Sequence, residues 1–334
     1  MNTKKYWVDL LNGMALGLFS SLIIGLILKQ IGTWTGLDYL ILFGQTAQLM
    51  MGAAIGAGVA HSVGASPLGI FAAASAGMIG AGTIHMDGGA FIIGPGPGEP
   101  VGALVAAWAG AEVANRIKGK TKVDIVLVPG ITIIVGGFAG ILVGPFVVKM
   151  MTGIGEIINL ATTLHPLPMG ILVAVLMGIA LTLPISSAAI AISLGLSGLA
   201  AGAATVGCAC QMIGFAVSSY RENKVGGLIS QGLGTSMIQI GNIIKNPWIW
   251  LPPTLASAVL GPVSTVFLKM ENIPVGAGMG TSGLVGQFGT VAAMGKGAIG
   301  MIVVMHFILP AALSLGISEY LRKKGKIKLG DMQL

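Results

Sequence analysis

Residues 83–100, TIHMDGGAFIIGPGPGEP, interrupt an otherwise strongly apolar chain. They include three prolines and five glycines, and a continuous membrane helix cannot pass through them, because proline removes a backbone donor and glycine lowers helix stability. Broken backbone at membrane depth is tolerated only where it is buried in protein or lines a polar cavity. We therefore predict that this stretch borders a substrate site; the alternative is a solvated loop outside the membrane.

Ionisable side chains within this stretch are candidates for solute binding. His85, Asp87 and Glu99 would supply hydrogen-bond acceptors and a group that handles a proton. Glu99 is the strongest candidate for a ligand contact, because a carboxyl group removed from water tends to be neutral and can carry a proton. Its alternative role is that of a residue stabilised by the positive end of the following helix. His85 and Asp87 are too few for a metal site, and neither a metal nor a cofactor is expected.

The composition indicates a membrane protein. The 334 residues are 54% hydrophobic and only 9% charged, with a mean hydropathy of +0.91, whereas a soluble domain is about 25% charged. We predict an all-α polytopic membrane protein with about eight to ten transmembrane helices and re-entrant or broken Gly/Pro-rich segments. The 54 glycines favour close helix packing. The net charge of +7 is concentrated in short loops, so it does not argue for a nucleic-acid partner.

Basic residues predict the orientation of the chain in the membrane. Lys4 and Lys5 precede the first apolar run, and basic clusters follow at residues 116–122 and 322–326. Cytoplasmic loops of membrane proteins carry an excess of lysine and arginine, so these segments are predicted to be cytoplasmic. The expected protein crosses the lipid bilayer of the cell membrane several times, with both termini in the cytoplasm.

Three further stretches break the apolar pattern. Residues 225–245 are rich in Gly, Ser, Thr, Gln and Asn, which indicates a re-entrant hairpin, and residues 274–290 form a second Gly-rich break. Residues 183–187, LPISS, interrupt a long apolar run. The passage from an external His165 to the cytoplasmic loop 221–224 needs an odd number of membrane crossings, but two plain helices between them give an even number. A third crossing or a re-entrant piece would make the number odd, and we favour a break at LPISS. Separated Gly/Pro-interrupted regions are typical of a transporter with its site near the midplane.

The predicted hairpin supplies a second set of candidate site residues. A sugar site needs side chains that both donate and accept hydrogen bonds. The hairpin offers four of them, Ser230, Gln231, Thr235 and Gln239. We expect these side chains to form the wall opposite His85, Asp87 and Glu99. His306, in the last apolar span, is equally compatible with a site role and with a structural place in the core.

Several stretches together resemble a known family. Residues 52–69, GAAIGAGVAHSVGASPLG, resemble its early Gly-rich helix. Residues 101–145 are similar to its Gly-rich helix, basic loop and proline-started helix that ends in Gly-Pro. Residues 229–232, ISQG, followed by residues 246–252, NPWIWLP, resemble its hairpin. The chain thus resembles the membrane-embedded IIC component of the bacterial phosphotransferase sugar transporters, most closely the fructose-type branch and its divergent relatives.

The resemblance implies one integral membrane IIC-like transport domain over residues 1–334. Its broken segments would lie near residues 83–100, 225–247 and 274–290, with no soluble IIA or IIB domain. It implies a permease for a sugar, polyol or similar small polar solute in the bacterial cytoplasmic membrane. The implied partners are that sugar-like solute, a second copy of the chain in a homodimer, and separate IIA and IIB subunits.

Departures from the family pattern leave the coupling to phosphorylation open. Gln231 stands where the family has a glutamate that binds sugar hydroxyls and supports phosphoryl transfer, and an amide cannot act as a general base. The LPISS stretch replaces an acidic, Gly-Gly-Pro-rich motif of the fructose-type branch. No residue is assigned a catalytic role. The alternative function is a ligand-sensing membrane regulator with a IIC-like fold.

Overall fold

The computed structural model describes residues 3–87, 89–94 and 96–334, and the side chains of His85 and Asp87 lie outside the described part. The chain divides into two compact units, Met1–Met150 and Met151–Leu334. Each unit buries its own set of apolar side chains.

The first unit consists of helices and one two-stranded sheet. Its elements are α1 Thr3–Leu18, a π-helical turn Phe19–Ile23, α2 Ile24–Thr35, α3 Asp38–Leu49, α4 Met51–Ser62, α5 Pro67–Gly80, β1 Ile84–Asp87, β2 Ala90–Ile93, α6 Pro100–Ile117 and α7 Asp124–Thr162, which continues into the second unit. Proline occupies the first position of α5 and α6, where its missing N–H costs no helical hydrogen bond.

Short helices and breaks alternate in the second unit. Its α-helices are α8 Pro166–Thr182, α9 Ser187–Ser193, α10 Gly198–Ser218, α11 Tyr220–Ile229, α12 Ile240–Lys245, α13 Leu251–Pro262, α14 Pro274–Ala277, α15 Val285–Met294, α16 Ile299–Val303 and α17 Leu309–Lys323. Between them lie π-helical turns at Ser230–Gly234, Val263–Phe267 and Val304–Ile308, and 3-10 turns at Ser236–Gln239, Pro247–Trp250, Ser282–Leu284 and Lys296–Ala298.

The all-α polytopic class is confirmed. Among the described residues, five helical runs are long and apolar enough to cross a membrane: Lys5–Thr33, Asp124–Val147, Gly198–Ser218, Pro247–Phe267 and Lys296–Lys323. Helices α3 and α4, bent by 51° at Met50, make a sixth if they are counted as one span. The apolar helices α5 and α8, of 14 and 17 residues, are shorter than these spans. The described residues thus hold five or six candidate spans, fewer than the eight to ten expected.

Small residues hold the helices of the first unit together. A Cβ built at Gly77 of α5 would overlap the carbonyl oxygen of Gly52 in α4, and one at Gly80 would overlap the carbonyl oxygen of Gly102 in α6. Because neither residue has a side chain, the backbones approach each other directly. The glycine excess in the sequence therefore corresponds to helix contacts in this unit.

Helix α10 is the central helix of the second unit. It contacts α8, α13 and α17, and 83% of its most apolar 18-residue stretch is buried. A Cβ at Gly207 would overlap the carbonyl oxygen of Ala174 in α8. The two cysteines, Cys208 and Cys210, are free and fully buried on this helix. At this depth the two thiols pack as small apolar side chains.

Breaks interrupt the second unit at the three predicted places. Helix α8 ends at Thr182 and α9 begins at Ser187, so the favoured break within the LPISS stretch is confirmed. Residues 225–245 change from an α-helix to a π-helical turn, a 3-10 turn and a second short helix. Residues 274–290 begin with one turn of helix, and Leu284 then takes a left-handed conformation with φ of 61°.

Candidate functional site

The stretch 83–100 forms a β-hairpin followed by an irregular return. Strands β1 and β2 pair antiparallel, with Ile84 opposite Ile93 and Asp87 opposite Ala90. The predicted break is present, but the two strands were not predicted. The signal for them lies in the sequence, because a Gly-Gly pair between the alternating run Ile-His-Met-Asp and the apolar run Ala-Phe-Ile-Ile favours a tight hairpin turn.

Hydrogen bonds fasten the return of this hairpin to the end of α5. The Thr83 hydroxyl donates to the carbonyl oxygen of Pro97 at 2.8 Å. The backbone N–H of Glu99 donates to the carbonyl oxygen of Ala81, also at 2.8 Å. Gly98 has φ of 82°, a conformation that glycine adopts without strain. These contacts fix where Glu99 lies.

Three candidate residues belong to this hairpin and its return. His85 and Asp87 lie in β1, and their side chains fall outside the described part of the structure. Glu99 is partly buried and directly precedes Pro100, the first residue of α6. Both of its expected roles, ligand contact and helix N-terminal residue, fit this position. The assignment of all three to a solute site stays a prediction.

The second unit brings two of its candidate residues into direct contact. Gln239 Nε2 donates to Gln231 Oε1 at 2.9 Å, and Gln231 Nε2 donates to the Ser219 hydroxyl at 2.8 Å. Both glutamines are fully buried. Burying an amide is costly unless it is hydrogen-bonded, and each of these amides has partners.

The other two hairpin candidates, Ser230 and Thr235, make hydrogen bonds in the turns that connect the two glutamines. The Ser230 carbonyl oxygen accepts a hydrogen bond from the Thr235 N–H at 2.9 Å. The Thr235 hydroxyl accepts one from the Met237 N–H at 3.1 Å. Thr235 therefore caps the 3-10 turn that leads to Gln239. All four predicted hairpin residues lie in this turn, and their role in solute binding stays a prediction.

Hydrogen bonds also join the three breaks of the second unit to one another. The hydroxyls of Thr182, at the end of α8, and Ser236, in the hairpin, lie 2.7 Å apart. The Ser187 hydroxyl, at the start of α9, donates to the carbonyl oxygen of Gly278 at 2.7 Å. The Thr281 hydroxyl donates to the carbonyl oxygen of Gly232 at 2.5 Å. Each break thus contacts the other two.

Gln211 of α10 connects this cluster to the neighbouring helix α13. Its Oε1 lies 3.2 Å from the Thr182 hydroxyl and accepts a hydrogen bond from Trp250 Nε1 at 3.1 Å. Its Nε2 donates to the Thr254 hydroxyl at 3.1 Å. Sequence reasoning missed Gln211. The available signal was a long amide side chain in an otherwise apolar predicted span, which is costly without partners.

Two further polar contacts stabilise the Gly-rich break at residues 274–290. Asn272 Nδ2 donates to the Thr205 hydroxyl at 2.6 Å and to the carbonyl oxygen of Gly286 at 2.9 Å. Gln287 Nε2 lies 3.1 Å from Nδ1 of His306, and both side chains are buried. His306 therefore has a polar partner within the unit, which leaves both of its expected roles open.

The joined breaks form a polar cluster of neutral groups. Hydroxyls and amides each donate and accept hydrogen bonds, so a solute hydroxyl can replace any one of them without leaving a charge unpaired. Gln231 supplies no carboxylate, so it cannot remove a proton from a solute. The arrangement is suited to holding a neutral, hydroxyl-rich molecule.

These observations define a class of protein: a polytopic α-helical membrane protein whose broken helices meet at a buried polar cluster, as in transporters. A family model described as "Phosphotransferase system, EIIC" matches residues 8–334, so the chain belongs to that family. Members serve as the membrane permease component of phosphotransferase sugar transport and work with IIA and IIB subunits. No curated protein and no solved structure matches the chain.

Proposed function

We propose that this protein carries a sugar, polyol or similar small polar solute across the membrane, and that the joined breaks of the second unit contribute the solute site. The observation that carries the proposal is the set of hydrogen bonds linking Thr182, Ser236 and Gln211 across three chain segments. Polar groups at the ends of broken helices are the construction expected of a transport site.

The chemistry of the cluster supports movement as well as binding. Its members are neutral, so breaking one hydrogen bond and making another with a solute hydroxyl changes the free energy little. A charged pair in the same place would resist separation, because each partner would be left buried and uncompensated. The breaks supply the points at which the backbone can rearrange.

We further propose that solute movement through this chain does not depend on phosphoryl transfer to the bound solute. The support is Gln231, which stands where the resembled family has a glutamate. From the family resemblance we also propose that the chain is of the fructose-type branch and acts as a single transport domain and a homodimer in the bacterial cytoplasmic membrane. Separate IIA and IIB subunits are its partners in the alternative case that uptake is coupled to phosphorylation.

A ligand-sensing membrane regulator is the alternative function, and one observation favours it. Gln231 and Gln239 are fully buried and bonded to each other, so the predicted site is closed in this conformation. A protein that binds a solute and changes shape without releasing it on the other side would need the same residues.

Uptake by the purified protein in liposomes tests the proposal. Radiolabelled D-fructose, D-mannitol and D-gluconate represent a sugar, a polyol and a sugar acid, and no phosphoryl donor is present. We expect saturable uptake of at least one compound, with or without a pH gradient, and its loss in Ser236→Ala. Binding without flux would favour the regulator. Uptake that appears only with added IIA and IIB subunits would contradict independence from phosphorylation, and neither binding nor uptake would contradict the solute site.

A further inference from the structure

Residues 325–334, hereafter the capping segment, fold back onto the hairpin of the second unit. Met332 is fully buried in an apolar cluster with Phe215, Ile243 and Ile249. The neighbouring Gln333 and Leu334 are exposed. Ile327 of the same segment is buried in the same cluster. The segment is therefore held by two inserted apolar side chains, with solvent-facing residues on its outer side.

Backbone carbonyl groups of the capping segment accept hydrogen bonds from side-chain amides in and next to the hairpin. The carbonyl oxygen of Met332 accepts hydrogen bonds from Gln239 Nε2 at 2.9 Å and from Asn223 Nδ2 at 2.7 Å. The carbonyl oxygen of Gln333 accepts one from Asn242 Nδ2 at 2.8 Å. Three side-chain amides thus converge on two consecutive peptide groups. Together these amides form a preformed binding site for carbonyl or hydroxyl oxygens.

These contacts reach the predicted solute residues directly. Gln239 Nε2 is shared between Met332 and Gln231 Oε1. Asn242 Nδ2 also donates to Gln239 Oε1, at 2.8 Å. A solute that uses the amide of Gln239 would therefore compete with the carbonyl oxygen of Met332 for the same donor.

Asn246 fastens the capping segment at its solvent-facing side. Its Nδ2 donates to Asp331 Oδ2 at 2.8 Å. Within the segment, Asp331 Oδ2 also accepts from the Lys328 N–H at 2.7 Å, which holds a turn. The carbonyl oxygen of Lys326 accepts from Asn246 Nδ2 at 2.8 Å. Asp331 is only partly buried. Water can replace these bonds when the segment leaves. The apolar side chains that its departure exposes are Ile327 and Met332.

We propose that the capping segment is an intramolecular ligand of the hairpin amides, and that it competes with solute for Gln239 and Asn242. The inference rests on the proposed function in taking the hairpin as a solute contact. When the segment is bound, its two carbonyl oxygens satisfy the amide donors and close the hairpin. When it leaves, the same donors are free to bind solute hydroxyls.

The first experiment measures closure without any solute. Asn242→Cys places a thiol beneath Gln333, and its rate of reaction with a water-soluble maleimide is followed in nanodiscs. Met332→Glu puts a charge into the apolar cluster and should release the segment, whereas Met332→Leu keeps the apolar anchor. We expect the thiol at position 242 to react about tenfold faster in the Met332→Glu background than in the Met332→Leu background.

A thiol at the exposed Lys245 of the same helix is the matched control. Lys245→Cys should react at one rate in both backgrounds. Equal rates for the position-242 thiol in the two backgrounds would overturn the proposal. A parallel rise at position 245 would overturn it too, because the helix would then be loosening as a whole. If Met332→Glu does not fold, Asp331→Ala removes the bond from Asn246 and the turn bond from the Lys328 N–H, and an acceleration at position 242 in the same direction is expected.

The second experiment separates this inference from the proposed function. Equilibrium binding of D-fructose, D-mannitol and D-gluconate is measured for the parent protein and for Asp331→Ala. We expect about tenfold tighter binding of one compound in the variant, because the competing segment is bound less often. Weaker or unchanged binding would overturn competition. If the thiol of Asn242→Cys becomes reactive on release of the segment but neither protein binds any compound, closure stands and the solute role of the hairpin fails.

Discussion

Two ion pairs in the second unit have the same chemistry but differ in burial. Arg322 Nη2 lies 2.8 Å from Glu222 Oε1, and the two side chains are 8% and 2% exposed. Arg221 Nη2 lies 2.9 Å from Glu319 Oε2, with side chains 59% and 32% exposed. Removing one partner of a buried pair leaves an uncompensated charge, whereas solvent replaces the partner of an exposed one.

We therefore expect Glu222→Ala to destabilise the protein by about 3–5 kcal/mol. The matched variant Glu319→Ala should cost about 0–1 kcal/mol. Thermal unfolding in detergent, followed by a thiol-reactive or intrinsic fluorescence signal, measures both. Similar losses in the two variants would show that burial does not distinguish the pairs.

Gln211 offers a test of the polar cluster at the level of one side chain. Gln211→Met keeps the length of the side chain but removes the partners of Trp250, Thr182 and Thr254. We expect a loss of about 1–3 kcal/mol, because the Trp250 indole N–H is left without its acceptor. The control is Gln45→Met, at an exposed position of α3, with an expected change within about 0.5 kcal/mol. Equal unfolding temperatures for both variants would contradict a structural role for this amide.

Glu99 allows a test of whether the first unit contacts solute. Glu99→Gln keeps the size of the side chain and its hydrogen-bonding capacity but removes its proton. If Glu99 contacts solute, binding in the liposome system should weaken by about tenfold, which corresponds to about 1.4 kcal/mol, while the unfolding temperature stays unchanged. Glu156→Gln, at an exposed position of α7, serves as the control. Unaltered affinity in Glu99→Gln would place the carboxyl group away from the solute.

At the scale of elements, glycine positions predict where a helix tolerates a side chain. A methyl group at Gly77 of α5 would overlap the backbone of Gly52, whereas one at Gly130 of α7 meets no atom within 4 Å. We expect Gly77→Ala to destabilise by about 1–3 kcal/mol through overpacking. Gly130→Ala should be neutral or stabilise by up to about 1 kcal/mol through higher helix propensity. Thermal unfolding of the two variants gives the comparison, and a stabilising Gly77→Ala would rule out the close contact.

The positions of the breaks could be predicted from the sequence, whereas the secondary structure and the contacts within them could be predicted only in part. Proline and glycine act on their own backbone, so residues 83–100, 183–187 and 225–245 could be recognised without any tertiary information. The hairpin of β1 and β2 was missed because four-residue strands carry too little hydrophobic pattern to be recognised without the pairing partner. The bond between Thr182 and Ser236 could not be predicted, since neither residue type signals a specific partner.

At the scale of the whole molecule, the basic residues predict a common side for distant loops. Thr121→Cys and Lys324→Cys should both react with a membrane-impermeant maleimide only after intact cells are permeabilised, because lysine-rich and arginine-rich loops remain in the cytoplasm. Thr163→Cys, beside the predicted external His165, should react in intact cells. Labelling of the thiols at positions 121 and 324 from opposite sides would contradict the predicted orientation of the chain.

The amino-acid sequence by itself determined the membrane class, the helical architecture, the positions of the breaks and the polar character of the hairpin. Hydropathy, glycine and proline act over a few residues, so their effects are visible in any short window. The tertiary structure alone decided which breaks meet, that Gln211 joins them, and that Gln239 bonds to Met332, 93 residues further along the chain. A hydrogen bond depends on the distance between two atoms in the folded chain, and spacing along the sequence does not specify that distance.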